Sequence, residues 1–505
     1  ENNKFNIENE EVPVRRINPK ERMFKNRDEE IIYTGDRGYK LADVFENKVK
    51  LDDFVAQLSY NDLICMFRGE GMCSPKVTPG TAAAFGGITK SLRNFGIPVA
   101  CCADGPSGIR MDCGTKAFSL PNGTALGCTF NVDLVKKLYK MTGIELCRNR
   151  IDSLLGPGMN IHRNPLNGRN FEYVSEDPIL TGKIGAAQVI GIQEAGSTAT
   201  IKHFCANNQE ASRRFVDSIV SERALREIYL KGFEIAVKEG KARSVMTTYN
   251  PVNGIWTAGS YDLCTTILRK EWGFDGIVMT DWWAEANTEG EKSTRGNKAP
   301  MVLAQNDLYM CVSNSLENPE NDNVKERFEA GEVTRSDLQR NAKNILKFIM
   351  KSQAMLHELN LISKEDLEEI NAQDDDGNIS LEDIVYYYAD KDSNDIIIDA
   401  SNFNNKKGDS EVFGISLNEL GLYNIEVTMK SEQGPLAQLP LSIYYDNALK
   451  ETITIRGTEG KWVTESRELG FVFGVNHYIK LYFGASGLDI DKVVIKFVGK
   501  GKLPF

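Results

Sequence analysis

The chain has 505 residues, 41% of them hydrophobic and 26% charged, a globular composition that allows two or more domains with large cores. Its net charge of −11 argues against nucleic acid or an anionic membrane as a partner, and no apolar run approaches the length of a membrane span. The 10 cysteines have no metal-type spacing and there are only 4 histidines, so we expect buried, reduced thiols, a cytoplasmic protein and no cofactor.

Up to residue 312 the chain alternates between short apolar runs and amphipathic stretches. Residues 1–40 are polar and predict an arm or linker, residues 41–68 have a helical pattern, and a Gly/Pro/Ser-rich segment at 69–90 predicts a long loop. The predicted strands that follow lie at 97–103, 154–161, 198–204, 244–248, 277–279 and 303–311. The predicted helices lie at 134–148, 178–194, 221–239 and 263–272. Such repeated β-then-α units predict an α/β fold with a (β/α)8-like TIM barrel over residues 41–350.

An acidic helical segment is predicted after the barrel, over residues 315–370, and we assign residues 351–393 as a helical and acidic connector. Within it, residues 371–383 resemble a calcium-binding loop. The resemblance makes Asp374, Asp376 and Asp383 weak calcium candidates. The first ligand position would be Ala372, which cannot coordinate through its side chain, so an exposed acidic turn is the favoured interpretation and we predict no metal site.

From residue 394 to 505 the pattern changes to alternating strands separated by turns rich in Gly, Asn and Asp. The clearest strands are predicted at 423–429, 441–445, 451–455, 478–483 and 492–497. This pattern predicts a C-terminal antiparallel β-sandwich, which resembles the β-sandwich carbohydrate-binding modules. Whether it binds sugar stays open. Trp462 lies in a predicted turn and is either a stacking platform or a core residue, and we favour the core.

The stretch from Gly273 to Trp283 is the strongest candidate for chemistry. A Phe-Asp-Gly turn leads into the apolar run Ile277-Val278-Met279, which ends at Asp281 followed by two tryptophans. An apolar run between turn residues is typical of a strand buried on both faces, and the C-terminal ends of such strands carry the catalytic groups of parallel barrels. Asp281 is therefore either a nucleophile or general base, or a cap of the next helix.

Four further polar clusters follow predicted barrel strands, at 104–110 (DGPSGIR), 156–178, 202–210 (KHFCANNQE) and 249–253 (YNPVN). Together with Thr280-Asp281-Trp282 these clusters, spread over residues 95–312, closely resemble the motifs of glycoside hydrolase family 3 in their family order. The resemblance implies that Asp281 is the nucleophile, that Tyr249 orients it, and that Trp282 lines the sugar pocket. It implies that the sugar is bound by Asp104, Arg169, Lys202 and His203.

These residue types suit a pyranose. A carboxylate such as Asp104 accepts hydrogen bonds from adjacent hydroxyls, whereas Lys, Arg and His donate charge-assisted hydrogen bonds to the same oxygens. Cleavage with retention needs two carboxyl groups about 5–5.5 Å apart. We expect Arg169 and Lys202 to keep the pKa of Asp281 low, as a nucleophile requires.

The second carboxyl group, the acid/base, is where this sequence departs from most of the family. In most members it lies on an α/β sandwich domain after the barrel, and no such pattern follows residue 312. The motifs and the start at Glu1 resemble the permuted branch, in which that domain precedes the barrel. We therefore expect this chain to be the C-terminal, barrel-containing part of such an enzyme. The acid/base would then come from an upstream α/β sandwich domain or a second polypeptide.

The predicted function is a retaining, exo-acting β-glucosidase that releases glucose from the non-reducing end of a β-glucoside or oligosaccharide. The loop at 205–210 contains no histidine, which disfavours N-acetylglucosaminidase activity. The alternatives are a β-xylosidase or arabinosidase, a transglycosylase, and a non-catalytic carbohydrate-binding protein. The sequence is also compatible with a homo-oligomer.

Overall fold

The computed structural model describes residues 19–72, 74–112, 117–287, 290–362, 384–446, 448–472 and 475–501. The calcium candidates Asp374, Asp376 and Asp383 lie outside these ranges. Within them, no helix is long and apolar enough to cross a membrane. The described cysteines are buried apart from Cys128, which is exposed, so our expectation of buried thiols is wrong at that position.

The barrel consists of one eight-stranded sheet. Its strands are β1 (Arg68–Glu70), β2 (Ala83–Gly86), β3 (Val99–Asp104), β4 (Ser153–Leu155), β5 (Thr198–Phe204), β6 (Ser244–Thr247), β9 (Ile277–Thr280) and β10 (Tyr309–Val312). A short hairpin of β7 (Pro251–Val252) and β8 (Ile255–Trp256) stands apart from it. The order β10-β1-β2-β3-β4-β5-β6-β9 is nearly closed, because a bridge between Met279 and Leu308 joins its two ends. The predicted barrel is confirmed, and it is mostly parallel.

Strand β2 is the exception, because it runs antiparallel to both β1 and β3. It lies in the segment that we predicted as loop, and that prediction is wrong. Its sequence, Ala-Ala-Phe-Gly, lacks the β-branched residues that favour strands, and Gly86 has a φ of +87°. Close packing explains the small residues, since a Cβ on the next residue, Gly87, would lie 1.9 Å from the carbonyl oxygen of Ile97.

The helices surround the sheet and flank the strands. Their bounds are α1 (Pro19–Lys25), α2 (Leu41–Phe45), α3 (Leu51–Ala56), α4 (Tyr60–Phe67), α5 (Lys90–Asn94), α6 (Gly123–Cys128), α7 (Val132–Arg148), α8 (Pro178–Glu194), α9 (Glu222–Ala224), α10 (Lys231–Lys238), α11 (Ala299–Leu303), α12 (Val324–Glu329), α13 (Arg335–Ile349) and α14 (Gln353–Glu358). A π-helical turn, Leu225–Tyr229, joins α9 to α10, a second π-helix spans Asp262–Glu271, and a 3₁₀ turn spans Thr257–Gly259. Asp177 caps α8 by accepting from the N–H groups of Ile179 and Leu180, which explains the sharp start at Pro178.

The C-terminal part is a sandwich of two sheets, as predicted. Its strands are β11 (Tyr386–Tyr388), β12 (Ile396–Asp399), β13 (Ser410–Ser416), β14 (Gly421–Lys430), β15 (Gln438–Tyr445), β16 (Ala448–Arg456), β17 (Val463–Val472), β18 (Asn476–Phe483) and β19 (Asp489–Gly499). The sheets have the orders β11-β13-β18-β15-β16 and β12-β19-β14-β17, and every pair is antiparallel except β11 with β13. Trp462 is 49% exposed, so our preference for a core position is wrong.

The sandwich sits beside the loop that joins β1 to β2. Thr454 Oγ1 donates to the carbonyl oxygen of Met72 across 3.3 Å. A Cβ on Gly484 would lie 2.3 Å from the carbonyl oxygen of Asp112. The sandwich therefore backs one part of the strand-end surface on which the predicted site residues lie.

Candidate active site

A pocket of about 270 Å³ opens at the carboxyl ends of the barrel strands. It is lined by all seven predicted site residues: Asp104, Arg169, Lys202, His203, Tyr249, Asp281 and Trp282. Asp104 ends β3, Lys202 and His203 lie within β5, and Asp281 directly follows β9. The parallel strands carry residues far apart in sequence to the same edge of the sheet, and this explains why they converge.

Asp281 is buried at the C-terminal end of β9, with an exposed fraction of 8%. Its Oδ1 accepts a hydrogen bond of 2.7 Å from the backbone N–H of Trp282, and its carboxylate is hydrogen-bonded to Tyr249. Burial raises the pKa of Asp281, and this effect exceeds the lowering by the Trp282 N–H, the charges of Arg169 and Lys202, and Tyr249. Our expectation that Arg169 and Lys202 keep this pKa low is therefore wrong, because desolvation outweighs both cations.

Lys202 pairs with Asp104 across the pocket. Its Nζ donates to Asp104 Oδ1 at 2.7 Å, and the lysine side chain is almost fully buried. Burial of Asp104 acts to raise its pKa, but the charge and hydrogen bond of Lys202 lower the pKa of Asp104 below its usual value. Asp104 thus presents an ionised carboxylate, a strong acceptor for hydroxyl groups.

The two ring nitrogens of His203 face different partners, and one of them faces Asp281. Its Nδ1 lies 3.2 Å from Tyr173 Oη and 3.3 Å from Asn160 Oδ1, while its Nε2 lies 3.8 Å from Asp281 Oδ2. Burial lowers the pKa of His203 well below its usual value, and the charges of Arg169 and Lys202 act in the same direction. A neutral imidazole exchanges hydrogen bonds with a hydroxyl but supplies no charge, which differs from the charge-assisted contact that we expected.

Arg169 is fixed by carboxylates rather than left mobile. Its Nε donates to Glu172, and its Nη1 lies 3.9 Å from Glu210. Burial acts to lower the pKa of Arg169, but Tyr173 and Glu172 raise it above its usual value, so the guanidinium stays protonated. It therefore places a permanent positive charge beside Asp281.

Tyr249 is held between two arginines that follow β5. The guanidinium carbons of Arg213 and Arg214 lie 4.8 and 4.6 Å from the centre of its ring. Arg213 also pairs with Glu210 at 2.9 Å, and Arg214 donates to the carbonyl oxygen of Trp283 at 3.3 Å. Arg213 thus connects the Tyr249 ring to Glu210, which also lies near Arg169. Arg214 connects the same ring to the turn after Asp281.

Nine further residues line the pocket and were not among the predicted site residues: Met72, Gly80, Ala82, Arg110, Asp112, Leu155, Arg213, Met246 and Trp283. Trp283 was recognisable as part of the Asp-Trp-Trp run. Arg213 is the most consequential omission, because it contacts both Glu210 and Tyr249. Its neighbours in sequence have no regular period, so only the folded loop reveals its position.

Three carboxylates line the pocket within the described part of the chain, and two of them are paired with cations. Asp104 is bound to Lys202, and Asp112 accepts from Arg110 at 3.1 and 3.2 Å. The described residues also contain no group of three or more His, Cys, Asp or Glu side chains that could hold a metal ion. Asp281 is therefore the one of these three carboxylates that no lysine or arginine pairs with in the described part of the chain.

Comparison with known proteins agrees with this geometry. Residues 72–348 match the glycosyl hydrolase family 3 N-terminal domain. A β-glucosidase of Ruminococcus albus is 50% identical over 487 residues, which cover 96% of this chain and 51% of that protein. The chain belongs to glycosyl hydrolase family 3, and it spans about half the length of this relative.

Solved structures have the same fold. A β-glucosidase from Paenibacillus barengoltzii superposes with a TM-score of 0.70 at 46% identity, covering 96% of this chain and 51% of its own. β-Glucosidase 3B from Thermotoga neapolitana, solved in complex with glucose, gives a TM-score of 0.55 at 32% identity and covers 72% of this chain and 51% of its own. These matches confirm the family assignment and the α/β barrel.

Proposed function

We propose that this chain is the nucleophile-bearing half of a retaining, exo-acting β-glucosidase. The observation that carries the proposal is the buried Asp281 carboxylate at the end of β9, hydrogen-bonded to Tyr249 and flanked by Arg169 and Lys202. A carboxylate held in this way can attack an anomeric carbon without first reorganising its surroundings.

In the proposed reaction, Asp281 forms a bond to the anomeric carbon while the glycosidic oxygen leaves and takes a proton from an acid. Water, activated by the same group acting as a base, then attacks the anomeric carbon, and Asp281 leaves. Asp104, Lys202 and His203 bind the sugar hydroxyls, and Trp282 packs against the apolar side of the ring.

The acid/base comes from outside this pocket wall. Of the other two carboxylates in the pocket, Asp104 is paired with Lys202 and Asp112 with Arg110. The half-length coverage of the relatives supports a second part of the enzyme, either an upstream α/β sandwich domain or a separate polypeptide. Its carboxyl would reach the open side of the pocket, about 5–5.5 Å from Asp281 in the assembled enzyme.

Glucose is the proposed glycone because the relatives that match most of this chain are named β-glucosidases and one was solved with glucose. A β-xylosidase or a transglycosylase would use the same seven residues. A non-catalytic binding protein is disfavoured because it would have no use for the Asp281–Tyr249 pair.

Trapping with a 2-fluoro-glucoside that carries an activated leaving group tests the proposal, because this reagent needs little acid assistance. The expected result is a mass increase on the peptide containing Asp281. Asp281→Asn should abolish labelling and lower aryl-glucoside cleavage by about 10⁴-fold or more. Label on another residue, or full activity of Asp281→Asn, would refute the nucleophile assignment.

Hydrolysis of a β-glucoside with an unactivated leaving group tests where the acid/base comes from, because such a substrate needs an acid. The chain is assayed alone and then after co-expression with the remaining half of the Ruminococcus albus relative. Hydrolysis of an unactivated β-glucoside only in the second case supports a shared active site. Equal hydrolysis by the isolated chain would mean that the acid/base lies within these 505 residues.

A further inference from the structure

A lysine that takes no part in the proposed reaction is fully buried beside the turn that follows β9. Lys298 directly precedes α11 and has an exposed fraction of 0%. Its Nζ donates to the carbonyl oxygen of Ala284 at 3.0 Å and lies 3.5 Å from the centre of the Tyr309 ring. In the described part of the chain this ammonium forms no ion pair with a carboxylate. Burial of a charge without an opposite charge destabilises a folded protein, and such groups cluster at functional sites.

The turn that Lys298 contacts begins at Asp281, and we define the β9 turn as residues 281–284. The N–H of Ala284 donates to the carbonyl oxygen of Asp281 at 3.3 Å, which closes the turn. Trp283 lies within it at a φ of +56°, a left-handed conformation that residues other than glycine rarely adopt. A conformation of this kind persists only where surrounding contacts hold it, so the β9 turn depends on its anchors.

The β9 turn is joined to the neighbouring strand β10 by a backbone hydrogen bond and by Lys298. The N–H of Trp283 donates to the carbonyl oxygen of Met310 at 2.6 Å. Lys298 makes the second connection, because its Nζ binds the Ala284 carbonyl while it rests on the ring of Tyr309, the residue before Met310. Lys298 therefore bridges the end of the β9 turn and β10.

The β9 turn also orients the carboxylate of Asp281. Asp281 Oδ1 accepts a hydrogen bond of 2.7 Å from the N–H of Trp282, which belongs to the turn. Burial raises the pKa of Asp281, and this N–H is the strongest of the influences that lower it. A displacement of the Ala284 carbonyl would therefore change the direction of the donor that fixes the carboxylate.

The charge of Lys298 depends on pH in the neutral range. Burial lowers the pKa of Lys298 to about 7, and the charges of Glu320 and Asp322 act in the opposite direction. The titratable and charged groups around it are Glu285 and Arg295 on its own loop, Tyr309 and Cys311 on β10, Glu320 and Asp322 on the loop after β10, and Arg68 on β1, which pairs with Asp322. A neutral amine loses the attraction to the ring face and is a weaker donor than an ammonium. The hold of Lys298 on the β9 turn therefore weakens as the pH rises through about 7.

We propose that Lys298 is a positioning residue for Asp281, whose ammonium holds the Ala284 carbonyl against β10 and thereby keeps the carboxylate oriented toward the pocket. It acts through the β9 turn, because a fully buried side chain does not reach the pocket surface. The inference rests on the proposed function, in which Asp281 is the nucleophile. Its consequence is a loss of nucleophilic reactivity at mildly alkaline pH that comes from Lys298 rather than from a residue lining the pocket.

Labelling of Asp281 by the 2-fluoro-glucoside, followed over reagent concentration and pH, tests the inference. In the parent chain the maximal labelling rate should fall as the pH rises through about 7. Lys298→Met should lower this rate about tenfold at pH 6 and remove the fall, because no ammonium is left to titrate. The reagent concentration that gives half the maximal rate should change by less than about twofold, because the residues that line the pocket are unaltered. Lys298→Gln retains a neutral donor, so it should lose less of the rate and remove the fall equally.

Substitutions of Tyr309 separate the ring from its hydroxyl. Tyr309→Phe retains the ring face and should label like the parent, whereas Tyr309→Leu should move the fall to lower pH, because the ammonium loses its ring contact. Lys480→Met removes a cation 4.1 Å from the centre of the Tyr444 ring in the sandwich and should change neither the rate nor its pH dependence. Lys298 variants that melt at a lower temperature but keep the parent's pH dependence would show a merely structural role and overturn the inference. A parent chain that is not labelled at Asp281 would instead refute the proposed function, and the inference with it, so the two failures are distinguishable.

Discussion

Burial disfavours the charged form of Asp281, so its carboxylate is costly to the folded state. Because its pKa is raised on folding, the folded state binds a proton more tightly than the unfolded chain does. The cost is therefore fully present above the raised pKa of the folded state and disappears as the pH falls below the ordinary pKa of an aspartate.

Asp281→Asn should consequently raise the melting temperature at pH 7, and the gain should shrink toward pH 4. Thermal unfolding of the parent and variant at a series of pH values measures this difference. Asp112→Asn is the matched control, since Asp112 also lines the pocket and its carboxylate is paired with Arg110. A variant less stable than the parent at neutral pH would mean that Arg169 and Lys202 compensate the buried charge fully.

Tyr249 lowers the pKa of Asp281 through its hydrogen bond. Tyr249→Phe should slow labelling by the 2-fluoro-glucoside by about 10- to 100-fold, the usual effect of losing a hydrogen bond to a charged group. The acidic limb of the pH profile of labelling should also move to higher pH, because the carboxylate then holds its proton more tightly. Tyr423→Phe removes a comparable bond, to the carbonyl oxygen of Glu419 in the sandwich, and should change neither quantity.

Trp462 offers a test of exposure in the sandwich. Half of its surface is open to solvent, and Lys430 Nζ lies 5.2 Å from its ring centre. Trp462→Ala should therefore lower the melting temperature by no more than about a degree, whereas truncation of a buried aromatic costs about 3–5 kcal/mol. A large loss of stability would show that the indole packs more tightly than its exposure indicates.

At the scale of elements, strong periodicity made some bounds predictable from the sequence. Helix α8 begins at Pro178 and ends at Glu194 as predicted, since Asp177 and Pro178 define its start and its apolar residues continue to the end. Strand β5 likewise coincides with the predicted run of residues 198–204. The local sequence of these two elements is enough to predict their bounds, without knowledge of tertiary contacts.

Elements defined by tertiary contacts were missed. Strand β2 is rich in Ala and Gly because its neighbours approach closely, and strand β17 carries several charged residues because much of it is only half-buried. The site follows the same division. All seven site residues that the motifs identified line the pocket, whereas the position of Arg213 and the raised pKa of Asp281 depend on loop conformation and burial, which the sequence does not encode locally.

Helices α7 and α8 pack through glycines. A Cβ on Gly191 would lie 2.4 Å from the carbonyl oxygen of Lys136, and one on Gly143 would lie 2.6 Å from Ala195 Cβ. Gly191→Val should therefore separate the helices and destabilise the barrel by about 1–3 kcal/mol, measured by denaturant unfolding. Gly434→Val, at a glycine with no atom within 4 Å of its Cβ position and no positive φ, separates this packing effect from the change of residue type.

At the scale of the whole molecule, the barrel and the sandwich have separate cores. The buried cluster of the sandwich contains residues only from Ile396 to Ile495, whereas the two clusters of the barrel end at Met355. The described contacts between the two parts include few groups, such as Thr454 with Met72. Two cores joined by a small contact should unfold in two steps rather than one.

Calorimetry of the parent chain should accordingly give two transitions, and core truncations should identify them. Leu481→Ala, at a fully buried position in the sandwich, should cost about 2–5 kcal/mol and lower only one transition. Leu268→Ala, equally buried in the barrel, should lower only the other. If both variants shifted a single transition together, the contact at Met72 and Asp112 would couple the two parts into one cooperative unit. The sandwich would then stabilise the pocket rim directly, and its loss would reduce labelling of Asp281.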